Sequence, residues 1–82
     1  MEIENHDGLW SVVVNLEIGS GIKVVAYADT ETSALHQARM RIVSIRNAFL
    51  AVGMNGWHGT LNGFDALLHE AIVEADKRLV AA

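Results

Sequence analysis

Between Trp10 and Ile18 the chain alternates, and this alternation restricts the fold more than any other feature of the sequence. In an extended chain Trp10, Val12, Val14, Leu16 and Ile18 point one way, while Ser11, Val13, Asn15 and Glu17 point the other. Gly19-Ser20-Gly21 follows, a turn that tolerates positive φ, and Ile22–Ala28 reads as the return strand. A lone hairpin is unstable in water, so later residues must cover its apolar side.

Two amphipathic segments are available for that. Asp29-Thr30-Glu31-Thr32-Ser33 is rich in side chains that accept hydrogen bonds from the free amides of a first helical turn. Leu35, Ala38, Ile42, Ile45, Phe49 and Val52 then recur at spacings of three and four, and Gly53 is placed to end that helix. Residues 54–63, with Gly56, Gly59 and Gly63, read as a loop, and Asn62 as the cap of a second helix. The apolar face of that helix would be Phe64, Leu67, Leu68, Ala71, Ile72, Ala75 and Leu79. The expected fold is therefore α+β: a β-hairpin followed by two amphipathic α-helices (ββαα) in a two-layer sandwich. It would form one domain over residues 1–82, with residues 1–8 as a flexible acidic tail.

At 82 residues the chain is short for a self-sufficient core, and without cysteine it has no disulfide to staple it. Its hydrophobic content of 51% exceeds what one small core readily hides, which points to a buried interface. Leu9, Val13, Val25 and Tyr27 on the second hairpin face, and Met40, Val43 and Leu50 beside the first helix stripe, are the surplus. The formal charge of −4 argues against nucleic acid and against anionic lipid as partners. The longest apolar runs, Ala48–Val52 among them, are far below the ~20 residues that span a bilayer. A cytoplasmic location is expected.

No chemistry assembles along the sequence. His6, His36, His58 and His69 include no i,i+4 pair, and Val73 stands where a His-Glu-x-x-His zinc motif starting at His69 needs its second histidine. Glu70 and Glu74 share a helix side with Lys77 and Arg78 nearby, the pattern of a solvated flank. Gly19-Ser20-Gly21 lacks the Lys-Ser/Thr of a phosphate loop and leads into a strand. Arg39 and Arg46, seven apart, suit either an anion grip or, in preference, stems lying along the core edge with their heads in water. No catalytic, cofactor-binding or metal-ligating residue is assigned, and the chain is not expected to be an enzyme.

Trp57, among glycines and beside His58, is either an anchor for a partner or a plug for the open end of the core. The partner-binding set is Trp57, His58, Met54, Tyr27 and Met40. In size, charge and simplicity the chain resembles the small acidic proteins of bacteriophages and other mobile elements, anti-CRISPR inhibitors among them, although no motif carries the likeness. The resemblance implies a protein that sterically blocks a host effector. The expected partner is another protein, or a second copy in a homodimer. The alternative is a homodimeric small-molecule-binding or enzymatic domain, its pocket between sheet and helices, with His36, Arg39, Trp57 and His58 as the polar candidates.

Overall fold

The computed structural model describes residues 1–16 and 21–81, apart from the side chains of Asn55, His58, Val80 and Ala81. Three strands come first: β1 (Glu2–His6), β2 (Leu9–Asn15) and β3 (Lys23–Ala28). They form one antiparallel sheet in the order β1-β2-β3. The helix α1 (Glu31–Ala51) follows, then a single 3-10 turn (Asn55–Trp57) and the helix α2 (His58–Ala81). The class is α+β as expected, with three strands where the sequence suggested two.

The added strand lies in residues 1–8, which the sequence reads as a tail. Asp7 and Gly8, both at positive φ (55° and 88°), make the tight turn that returns His6 onto Leu9. The Asn5 side chain accepts the Gly8 amide at 3.0 Å and steadies this turn. Asp-Gly is a strong hairpin signal, and Glu2-Ile3-Glu4-Asn5-His6 is too polar to announce itself as a strand by apolar alternation.

In the β2–β3 hairpin Val13 faces Val25 and Val14 faces Val24. Val12, Val14 and Leu16 are fully buried, so the alternation is correct through residue 16. Ile18 and the turn residues Gly19-Ser20 lie outside the described residues.

α1 begins where its capping residues predict. Thr30 is the N-cap, its Oγ1 accepting the Ser33 amide at 3.1 Å. It ends at Gly53, with φ of 78°. There the Gly53 amide donates to the Leu50 carbonyl at 3.1 Å and the Met54 amide to the Phe49 carbonyl at 2.8 Å. This paired arrangement satisfies carbonyls that the helix would otherwise leave open.

The second helix starts earlier than expected. Asn62 is no cap: residues 58–62 already belong to α2, and the Asn62 Oδ1 accepts from Arg46 Nη1 at 2.9 Å. Gly59 and Gly63 are weak helix formers, but Leu61, wholly buried, gives this first stretch an apolar contact that offsets their cost. The earlier start also shifts the buried stripe to Leu61, Leu68, Ile72 and Ala75. Leu67 and Leu79, expected inside, are exposed, as is Val52 at the end of α1.

α1 lies against β3 and β2, and α2 packs along α1. The helices run antiparallel, tied along their seam by Glu31–Arg78 (2.6 Å), Arg39–Asp65 (2.7 Å) and Arg46–Asn62 (2.9 Å). One core joins Val12, Val14 and Val24 of the sheet to Leu35, Ala38 and Ile42 of α1 and to Leu68 and Ile72 of α2. Ile42→Ala is expected to cost about 2–5 kcal/mol of unfolding free energy. Val52→Ala, at an exposed position, is expected to cost less than about 0.5 kcal/mol. Urea denaturation followed by tryptophan fluorescence measures both.

Candidate interaction surface

The sequence-selected partner residues do not form one patch. Trp57 is half-buried against the core, held between the end of α1 and the start of α2. Of its two expected roles this is the plug's position. The His58 side chain lies outside the described residues. Met54 is exposed just past the end of α1. Tyr27, 57% exposed, stands on the sheet face away from the helices, and Met40, 63% exposed, on α1.

The arginines have a role that sequence reasoning missed. Instead of sending their heads into water, Arg39 and Arg46 turn to α2. Arg39 Nε donates to Asp65 Oδ1, and Arg39 Nη1 lies 3.3 Å from His69 Nδ1. Partners from a different helix are not readable from spacing along one. Of the polar candidates for a ligand pocket, Arg39 is thus engaged by α2, His36 is exposed and Trp57 packs on the core. Among the described residues no three His, Asp or Glu side chains converge as a metal site requires.

A hollow of about 230 Å³ opens in front of Trp10, bordered by Glu31, Arg78 and Leu79. Two of its charged groups, Glu31 and Arg78, already satisfy each other, with Arg78 Nη2 at 2.6 Å from Glu31 Oε1.

The sheet face away from the helices is different. The pairing puts Val13 directly opposite Val25, and Ser11 opposite Tyr27, on this face, with Leu9 at its end. Leu9 and Tyr27 are exposed, and Val13 and Val25 are half-buried. Glu2, Glu4 and His6 of β1 border them on the same face, since they stand opposite Val13, Ser11 and Leu9. An apolar strip with a tyrosine and a charged margin has the anatomy of a protein contact: aromatic and aliphatic centre, polar rim.

Comparison with protein-family models, with curated proteins and with solved structures gives no match for this chain. Among the described residues no helix is long and apolar enough to cross a membrane.

Trp57→Ala is expected to lower stability by about 2–3 kcal/mol, through the space it opens at the end of the core. Thermal and urea unfolding test this, and a loss near zero would return Trp57 to the role of surface anchor.

Proposed function

We propose that this chain is a non-catalytic protein-binding module, and that it engages a partner protein with the sheet face centred on Val13, Val25 and Tyr27. The observation that carries this is the apolar strip on a sheet face that neither helix covers. Tyrosine suits such a centre because it brings large area, a hydrogen-bonding hydroxyl and little side-chain entropy. The negative balance of the chain favours a neutral or basic partner surface. An inhibitor that blocks a larger effector by occupying its surface, as the small acidic proteins of mobile elements do, is the form of this function we favour. Steric blocking needs only a rigid face and good shape fit, both within reach of a domain this size. We take its compartment to be the cytoplasm, in keeping with a chain without cysteine.

Tyr27→Glu places a charge in the centre of the strip at a position where it stays solvated, so folding should be unchanged by circular dichroism. Affinity capture from a bacterial lysate should yield a stoichiometric protein with the wild-type chain and lose it with Tyr27→Glu. Equal capture by both would exclude this face.

A further inference from the structure

The sheet has two open edges, and they carry opposite charge. In the order β1-β2-β3 the outer sides of β1 and β3 have no strand beside them among the described residues. Every residue of β1 is exposed. Glu2 and Glu4 point to the face away from the helices, whereas Ile3, opposite Val12, points to the helix side and is still 36% exposed. At the other edge α1 overhangs β3. A groove of about 380 Å³ lies between Lys23–Val25 of β3 and Met40, Arg41 and Ile45 of α1. Among the described residues Arg39, Arg46, Lys77 and Arg78 each reach a side-chain oxygen. Lys23 and Arg41, the two cations of this groove, have no such partner among them.

We propose that β1 of a second copy of this chain fills the β3 groove, joining copies head to tail into a continued sheet. This rests on the reading that the chain acts through protein contacts, but not on a foreign partner. β1 and β3 point the same way, each being antiparallel to β2. Continuing the sheet with the helices kept on one face therefore sets the incoming β1 parallel to β3. With Glu2 of the second copy level with Lys23, its Glu4 stands beside Val25 and its Ile3 beside Val24. That isoleucine then enters the apolar part of the groove below Met40 and Ile45, while Glu2 meets Lys23 on the outer face.

The reversed direction would carry the helices of the second copy to the opposite face of the sheet. Two β1 edges paired antiparallel over their full length bring Glu4 against Glu4 at the centre, with Glu2 against His6 on either side, and leave the β3 groove unfilled. The head-to-tail joint uses different surfaces on its two sides, so it repeats: copies add until a ring closes or a filament grows. Because β1 is uncovered on its helix side, the α1 of the next copy has room to overhang it.

Glu2→Lys with Glu4→Lys inverts one edge, and Lys23→Glu with Arg41→Glu inverts the other. All four positions are exposed, so both double variants should fold. By light scattering at low salt the wild type should grow in mass with concentration and shrink at high salt. Each double variant alone should lose assembly, its joint weakened by about tenfold or more. An equimolar mixture of the two should assemble again, since each inverted edge then meets its complement. The proposal is overturned by a wild type that stays monomeric at millimolar concentration, by variants that assemble unmixed, by a mixture that stays monomeric, or by growth that stops at a two-fold dimer indifferent to both variants. A monomeric wild type that still captures a protein through Tyr27 would remove the edge pairing alone and leave the proposed function standing.

Discussion

Everything in this fold leans on the apolar stripe of α1. Ala34, Leu35, Ala38 and Ile42 are almost wholly shielded from water, and they lie between the sheet on one side and α2 on the other. Each fully buried leucine or isoleucine contributes about 1.5–3 kcal/mol of transfer free energy. A small antiparallel sheet cannot supply that, since its two central apolar rows need a covering layer. The two alanines and the larger Leu35 and Ile42 belong to one buried cluster with Val12, Val14 and Val24 of the sheet. The caps at Thr30 and Gly53 matter for the same reason: they fix which twenty-one residues present that stripe.

The polar ties between the helices work differently. Arg39–Asp65 is partly exposed, and in Arg78–Glu31 the arginine is largely exposed; contacts of this kind contribute little net stability in water. Their value lies in alignment. Three contacts spaced along the seam, each joining a charged or amide group of one helix to the other, penalise a shift of α2 along α1 because a shift would part them all. The same contacts occupy the arginines that would otherwise be free to grip an anion. A surface that looks chemically promising in sequence is in this way used up holding two helices in register.

What could be read from the sequence was what short-range physics decides. The β2–β3 hairpin shows in its alternation, α1 in a stripe of spacing three and four, and its ends in residues with specific backbone roles. The errors arose where local and tertiary preferences part. β1 has only one apolar side chain besides Met1, so no pattern of apolar residues marks it, and the Asp7-Gly8 turn was the signal to follow. The start of α2 carries Gly59 and Gly63, which argue locally for a loop, yet Leu61 is buried and Asn62 is bound by Arg46. Of the expected partner residues, Tyr27 does stand on an open face, but Trp57 turned inward, and sequence spacing could not bring Met40 and Met54 onto the face that holds Tyr27.

Both open features of the surface follow from the size of α1. A helix is about 10 Å across and strands are spaced about 4.8 Å apart, so one helix covers roughly two strands. α1 spends its width on β2 and β3, and the seam of polar contacts keeps α2 against α1. β1 is therefore paired through its backbone to β2 and yet exposed along its whole length. An edge strand of this kind invites further pairing unless something resists it. Here the resistance is selective: Glu2 and Glu4 discourage another acidic edge while leaving a basic one acceptable. The basic groove that answers them lies at the opposite side of the same sheet. Charge thus favours the head-to-tail pairing in a chain too small to hide its edges.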